Sequence, residues 1–468
     1  MVVEGWLARA ARTRGGHTAL QTPHGSLSYA QLHARAINVA KVLAAIGTRR
    51  GARVAIALPS GLDFAETLHA CLLLGAVAVP VDLRLGAGER AAIAEGCQVV
   101  VDAPLADAPI ETATSSARGE RGPAGAPDAS GGAAPGARGV AEPVVHDLDA
   151  TALVIHTSGT TAAPRPVELT YGNLLWSALG SAVALGRDPE DRWLCAMPLA
   201  HVGGLSILVR SCIYATTAVL HERFELDRVL DALRTSDITL VSLVATTLAR
   251  LLDAGLAGPL GLRCALTGGG PVPAALVARA HAASVPVSLT YGLSESCSQV
   301  TSTPVAELGT TPAGAGPPLF CTRVRIDAGE EILVRGPTVA PAALAADGWL
   351  HTGDLGRLDE HGRLHVSGRK ADTIVSGGEN VAPAEVEAVL EAHPGVLEAA
   401  VLGRPHERWG EAVTAIVVAR PGAQLDAEDL RAHCARALAP FKVPKELVVS
   451  GGPLPRTRSG KLLRRELA

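Results

Sequence analysis

Cysteine patterns that would hold a metal or a redox pair are missing from this chain. Its eight cysteines, at 71, 97, 195, 212, 264, 297, 321 and 434, form no CxxC pair and no His/Cys cluster at ligand spacing. They read as buried thiols of a reducing compartment. Charge is scarce too: 19% of residues are charged, the net charge is −4, and no basic stripe emerges, so nothing asks for nucleic acid or an anionic membrane as partner. The N-terminal MVVEGWLARAARTR lacks the long apolar core of a signal peptide, and no later stretch has enough apolar residues to span a bilayer. A soluble, cytosolic protein is expected. The phosphate-loop pattern GxxxxGK[ST] is also absent.

Length and apolar content are present in quantity. At 468 residues, 48% of them hydrophobic, the chain can form roughly three domain-sized units with a large core. Its first clear helix covers 28–47: Ser28 and Gln31 make a capping box, Leu32, Ala36, Val39, Leu43 and Ile46 share one face, and Gly47 stops it. A strand over 54–58, an apolar helix over 63–74 and a strand over 77–81 form a βαβ unit, which indicates a parallel sheet. From 102 to 142 the chain is Ala, Gly, Pro and Ser with almost no large apolar residue, so it reads as a disordered insertion. Strands resume directly after it, which places the insertion within one domain. Further strands are expected over 193–197, 218–221, 238–244, 264–266 and 287–290, with a glycine-bearing helix from His201. After Gly316 come short alternating strands (324–326, 332–334, 364–366), and 369–468 reads as a separate small α+β unit.

The chemistry gathers at strand ends. Residues 156–167, HTSGTTAAPRPV, follow an apolar strand at 152–155, and their small side chains let backbone N–H groups approach anionic oxygens. Thr157, Ser158, Thr160 and Thr161 add hydroxyl donors around Gly159, so the stretch reads as an anion cradle. TGGGPVP at 267–273 and YGLSESCSQ at 291–299 close two other buried strands, where ligands of parallel sheets collect.

These stretches, followed in order by HTGDLG at 351–356, GRKAD at 368–372, SGGENVAPAEVE at 376–387 and PRTRSGK at 455–461, resemble the adenylate-forming superfamily of acyl-CoA synthetases, adenylation domains and luciferases over nearly the whole chain. The resemblance implies an α/β fold with a large N-terminal AMP-binding domain, 1–368, of parallel-rich sheets, flanking helices and a small distorted barrel. A small mobile C-terminal α+β domain, 369–468, would follow, hinged at 369–371. The implied enzyme is an AMP-forming acid–thiol ligase that uses ATP, Mg²⁺ and coenzyme A. Thr157, Ser158, Gly159, Thr160, Thr161 and Arg165 would meet the phosphates, and Gly268, Gly269, Gly270, Pro271, Tyr291, Gly292 and Ser294 would frame the adenine. Glu295 would hold Mg²⁺, Asp354 the ribose hydroxyls with Arg369 as a further donor, and Lys461 the carboxylate and α-phosphate oxygens. Gly377 and Gly378 would border the path of the thiol. The chain departs from the family pattern at Ala162, where glycine is usual, at Arg165, where lysine is usual, and at Ala371, where Asp or Lys is usual.

Runs such as TYGNLLWSALGSAVALG, PLAHVGGLSIL, VLHERF and YGLSESCSQVTS resemble in particular the branch that activates 2-succinylbenzoate in menaquinone biosynthesis. An aromatic diacid needs a mainly apolar slot with a few donors. His201 is the foremost candidate, with catalytic weight, and Ser206, Arg210, Thr246, Ser296 and Ser298 stand behind it. Arg210 is expected to pair on the helix surface. The alternatives are a CoA ligase for another aryl or medium-chain acid, a free-standing adenylation enzyme that loads a carrier protein, and a non-catalytic nucleotide binder. The expected partners are a carboxylic acid, ATP and CoA, with no nucleic acid and no membrane span, and with a homo-oligomer left open.

Overall fold

A computed structural model describes residues 1–105, 144–157, 165–258, 260–308, 314–377, 379–456 and 462–467. The first sheet has five strands in the order Val99–Val101, Arg53–Ile56, Val77–Pro80, Thr151–Thr157, Arg165–Thr170. All neighbours are parallel except the last pair. Parallel sheets are covered on both faces, and Val54, Ala55, Ile56, Leu153 and Ile155 are accordingly buried. The helix Leu62–Leu74 makes the crossover and ends at Gly75 in the left-handed conformation. The expected insertion falls mostly on 106–143, outside the described residues. The strands on either side of it, Val99–Val101 and Thr151–Thr157, share this one sheet, so the chain leaves and re-enters the same unit.

The second sheet has eight strands: Ser298–Ser302, Val287–Leu293, Cys264–Thr267, Leu240–Leu243, Arg192–Cys195, Thr217–Leu220, Thr18–Thr22, Gly25–Ser28. Its two edge pairs are antiparallel and its interior is parallel. The helix Tyr29–Ala45 carries the expected Ser28–Gln31 capping box and buries Leu32, Ala36, Val39 and Leu43. Ile46, expected on that face, is 54% exposed, because the last helical turn closes before it and Gly47 turns the chain away with φ 98°.

A four-stranded antiparallel sheet, Arg323–Ile326, Glu331–Arg335, Leu350–Leu358 and Leu364–Arg369, stands in the place of the small barrel. It packs Ile332, Val334, Leu350 and Leu364 against Val300 and Val339. A last, five-stranded sheet is made of Glu379–Val381, Ile374–Ser376, Gly410–Ala419, Val396–His406 and Glu446–Ser450. It has its own core with the helices Pro383–Glu391 and Ala427–Ala437: Val386, Leu390, Val401, Val413, Val417, Leu430 and Cys434. All eight cysteines are free, and burial pushes the thiols of Cys71, Cys195, Cys212, Cys264 and Cys297 up to about 12. Among the described residues no helix is long and apolar enough to cross a membrane.

Candidate active site

Strand register builds one corner of the site. Asp354 and Arg369 face each other across the antiparallel pair Leu350–Leu358 and Leu364–Arg369. The Arg369 Nε donates to Asp354 Oδ1 at 2.9 Å, and the Tyr291 hydroxyl donates to Asp354 Oδ2 at 2.8 Å. Asp354 is 6% exposed. Burial and the Asp354 charge push the Tyr291 phenol far above its ordinary value, so it stays a donor. Gly353, at φ 70°, bends the chain here; its N–H reaches Glu331 Oε1 at 3.0 Å, and the Asp354 N–H reaches Thr352 Oγ1 at 3.1 Å. Thus Tyr291, Asp354 and Arg369, far apart in sequence, are brought together.

The glycine loops above this corner have little steric choice. A Cβ on Gly268 would sit 2.6 Å from the Thr290 carbonyl oxygen, and one on Gly292 would sit 1.6 Å from that of Ser298. Gly269 has φ 78° and Gly270 and Pro271 are exposed at the mouth of the loop. After Gly292 the strands Val287–Leu293 and Ser298–Ser302 are joined by the turn Ser294–Ser296, which carries Glu295. The Ser296 hydroxyl closes this turn on the N–H and carbonyl of Leu293, and Ala340 donates to the Glu295 carbonyl at 2.8 Å. Ser294 and Glu295 are half-buried, and among the described residues the Glu295 carboxylate has no hydrogen-bond or ion-pair partner. The described residues hold no cluster of three or more metal-ligating side chains. One free carboxylate at a strand end is the donor set that suits Mg²⁺, which binds through one or two carboxylates and keeps phosphate and water for the rest.

Thr157 ends one strand and Arg165 begins the next, as register partners with the Thr157 hydroxyl 3.4 Å from the Arg165 carbonyl. Arg165, expected within the anion cradle, is therefore the exposed first residue of a strand. Ser158, Gly159, Thr160 and Thr161 lie outside the described residues, as do Ala162, Gly378 and Lys461. Gly377, at φ 62°, donates its N–H to the Trp409 carbonyl at 2.7 Å, and a Cβ there would press on the Trp409 ring at 3.1 Å.

His201 is the N-cap residue of the helix Val202–Tyr214, whose Gly204 passes the Pro198 carbonyl so closely that a Cβ would come within 2.5 Å. Two residues that sequence reasoning missed meet His201: Arg84 Nη2 lies 3.1 Å from its Nε2 and Asp82 Oδ2 lies 3.5 Å from the same atom. Burial works to raise the Asp82 carboxyl, yet hydrogen bonds from Arg84 and His201 outweigh it and hold the group well below the usual carboxylate range. The available signal was position, because VDLRLG follows directly on the buried strand Val77–Pro80.

Arg210 is not on the helix surface, as expected, but 2% exposed. Its helix is buried almost all round, so no face leads to water. Its Nη2 donates to the Ser177 hydroxyl at 2.9 Å, and Ser177 in turn donates to the carbonyl of Cys297, just past Glu295, at 2.6 Å. The guanidinium lies 5.8 Å from the Trp193 ring, and its Nε has no partner among the described residues. Burial lowers its affinity for its proton. Of the other candidates, Ser206 donates to the Gly203 carbonyl of its own helix at 3.1 Å and Ser296 is engaged in its turn. Thr246 is exposed and Ser298, at φ 94°, is half-buried.

The family described as AMP-binding enzyme matches residues 7–342, and its C-terminal domain matches 385–461. The 2-succinylbenzoate–CoA ligase of Bacillus thuringiensis subsp. konkukian (strain 97-27) is 35% identical over 487 residues, covering 99% of this chain and 97% of that protein. The o-succinylbenzoate CoA synthetase of Bacillus subtilis, solved with its acyl-adenylate intermediate, aligns with a TM-score of 0.86 at 34% identity, over 100% of this chain and 98% of that one. The same Bacillus subtilis enzyme with ATP and magnesium ion gives a TM-score of 0.85 at 34% identity, over 100% of both chains. With both parts of the family matched in order around a corner that joins Tyr291, Asp354 and Arg369, the chain belongs to the AMP-binding enzymes.

Proposed function

We propose that this chain is an ATP-dependent acid–thiol ligase that adenylates 2-succinylbenzoate and passes the acyl group to coenzyme A. The observation that carries the choice of acid is Arg210: a fully buried guanidinium with no carboxylate partner among the described residues. A buried charge is costly unless it is paired, and a diacid supplies the missing partner through the carboxylate that does not react. The relatives that act on this diacid support the same reading.

In the adenylation step a substrate carboxylate oxygen forms a bond to the α-phosphorus of ATP and pyrophosphate leaves. Asp354, held by Tyr291 and Arg369, accepts from the ribose hydroxyls and so fixes the α-phosphorus relative to the acid. The loop at Gly268, Gly269, Gly270 and Pro271 lets backbone lie against the adenine. Glu295 would hold Mg²⁺, which offsets phosphate charge. Lys461 donates to the oxygens on which charge develops. In the second step the thiol sulfur of CoA bonds to the acyl carbon, loses its proton to solvent and expels AMP. We assign the chain to two units, 1–368 and 369–468, joined at a hinge at 369–371, with the second unit taking a different orientation in each step.

Pyrophosphate release with ATP and Mg²⁺ tests the reading, run with 2-succinylbenzoate, benzoate and octanoate, with and without CoA. Turnover of the diacid alone, with thioester only when CoA is present, is the expected result. Two analogues that each keep one carboxylate, 4-oxo-4-phenylbutanoate and 2-acetylbenzoate, should both lose at least roughly 30-fold, since leaving one charge of a buried pair unmatched costs about 2–5 kcal/mol. Equal turnover of benzoate or octanoate would remove the diacid and keep the ligase.

A further inference from the structure

One carboxylate, that of Glu331, touches the chain beside Asp354 and again beside Arg369. It opens the strand Glu331–Arg335 and is 6% exposed. Register shows what calls for it there. Leu333 pairs with His351 but Glu331 with Leu355, so Thr352, Gly353 and Asp354 bulge away from Ile332 on this side, while Asp354 still pairs with Arg369 on the other. A bulge takes N–H groups out of the ladder, and in a buried place each needs another acceptor. Here the Gly353 N–H donates to Glu331 Oε1 at 3.0 Å and the Asp354 N–H to Thr352 Oγ1 at 3.1 Å, and the Thr352 hydroxyl donates to the Ile332 carbonyl at 2.7 Å.

The second oxygen, Oε2, takes the Lys370 ammonium at 3.3 Å, and Lys370 follows directly on Arg369 at the start of the turn Lys370–Asp372. Each oxygen of Glu331 therefore holds the chain neighbour of one residue of the corner, Gly353 before Asp354 and Lys370 after Arg369. His351 Nδ1 stands 3.7 Å from Oε2, and its Nε2 lies 3.3 Å from Asp347 Oδ2. The Lys370 side chain is 63% exposed, so the ion pair by itself adds little to stability. Its acid is buried, however, and there an unmatched charge is costly. Losing the ammonium would draw the carboxylate towards water or His351, and the bulge that hangs on its other oxygen would follow.

We infer that Glu331 is a positioning residue for the nucleotide: its two oxygens set Gly353 and Lys370, and through them Asp354 and Arg369, in one fixed relation, with Lys370 as its counter-charge. The inference rests on the reading above in which Asp354 accepts from the ribose hydroxyls. Glutamine at 331 can still accept from the Gly353 N–H but offers Lys370 no charge. Leucine there loses both contacts. Methionine at 370 keeps the length of the side chain and removes the ammonium alone.

The test measures AMP binding by calorimetry, and KM for ATP, the acid and CoA, in Glu331→Leu, Glu331→Gln, Lys370→Met and Lys370→Arg beside the wild type. The dissociation constant for AMP and KM for ATP should rise together, about 10- to 100-fold in Glu331→Leu, the range for losing hydrogen bonds to a charged group. In Glu331→Gln and Lys370→Met, where one contact of the two goes, the rise should be about 3- to 10-fold. Lys370→Arg returns a cation to the carboxylate and should recover most of the affinity. Adding Lys370→Met to Glu331→Gln should cost less than about twofold more, as for two groups in one contact. KM for the acid and for CoA should stay within about twofold of wild type, since the lost interaction is with the nucleotide. Amide hydrogen exchange over 351–356, which needs no turnover, should accelerate in Glu331→Leu and to a lesser degree in Lys370→Met. Should Glu331→Leu fail to fold, Glu331→Gln and Lys370→Met carry the test. A lowered Tm with AMP affinity unchanged would make Glu331 a structural residue and overturn the inference, as would a rise in KM shared alike by ATP, acid and CoA. Either result, beside a wild type that binds AMP, removes the inference alone; a wild type that binds no AMP removes the nucleotide reading and the inference with it.

Discussion

The corner of Tyr291, Asp354 and Arg369 and the C-terminal residues 456 and 462–467 are held by different means. The corner is framed by main chain, where glycines 268 and 292 stand so that a Cβ would strike a carbonyl oxygen, and Asp354, placed by strand register, is also held by the buried Tyr291 hydroxyl and the partly exposed Arg369. The segment is fixed by side chains that are partly open to water, Arg464 with Asp372 and Glu387 and Arg456 with Glu398. Backbone packing in a core is stiff, whereas partly exposed ion pairs contribute little each and exchange partners readily.

The comparison can be broken at its catalytic end first. Lys461→Ala should lower adenylation about 10²–10³-fold, the scale for removing one preorganised charged donor, while thioester formation from supplied adenylate changes little. Equal losses in both steps would show that the segment serves both alike. Acidification is the next largest effect. Burial holds the imidazoles of His69 and His146 down to about 4, and His146 accepts from the Trp6 N–H at 3.2 Å while stacking on Tyr171. Their neutral forms stabilise the folded large unit fully above about pH 6.5, and that stability is lost as pH falls towards 4, by about 2–3 kcal/mol for each group. Urea unfolding at pH 7.5 and 5 should show the drop, and His146→Asn should reduce it.

Gly292→Ala should cost about 1–3 kcal/mol or more, because the added methyl has only backbone to displace, and should lower adenylation by tilting the turn that carries Glu295. Unchanged Tm and rate would show that the turn yields. The smallest effect distinguishes the two units by sign. Burial raises the Glu391 carboxyl of the small unit to about 7, despite a hydrogen bond from the Ala399 N–H, with Glu387 and Glu398 adding to the rise. A carboxyl raised in this way costs nothing below about pH 4.5 and destabilises the folded state as pH climbs through 7, by about 1–3 kcal/mol. Glu391→Gln should therefore raise Tm at pH 8 and leave it unchanged at pH 4.5, opposite to the trend set by the histidines.

Much of this was legible because the informative features are local. A capping box, an apolar run and a glycine turn are each set by neighbours a few residues apart, so the helix Tyr29–Ala45, the parallel strands and the loops at 268–271 and 291–295 could be read directly. The strand Leu350–Leu358 was not legible, since the glycines and polar residues of HTGDLG interrupt any alternation. Asp82 and Arg84 meet His201 across more than a hundred residues of chain, and no periodicity carries such a pairing. Arg210 failed for the opposite reason: an arginine was assumed to seek water, although the run VGGLSILVRSCIY is apolar around the whole helix and leaves no wet face. Of the two departures in the phosphate loop, Ala162 for glycine and Arg165 for lysine, only Arg165 lies among the described residues. Arg165 begins a strand, so sheet pairing fixes its backbone while its side chain is exposed.

On the reading proposed above, Arg210 also ties the protein's persistence to its metabolism. An internal cation that no acid of the described residues neutralises is a standing penalty on the empty enzyme. A ligand that binds only the folded chain and brings the missing anion removes the penalty in proportion to the logarithm of its concentration. In a cell rich in the diacid the enzyme would resist unfolding and proteolysis, and in a cell depleted of it the same molecules would be the first to be cleared.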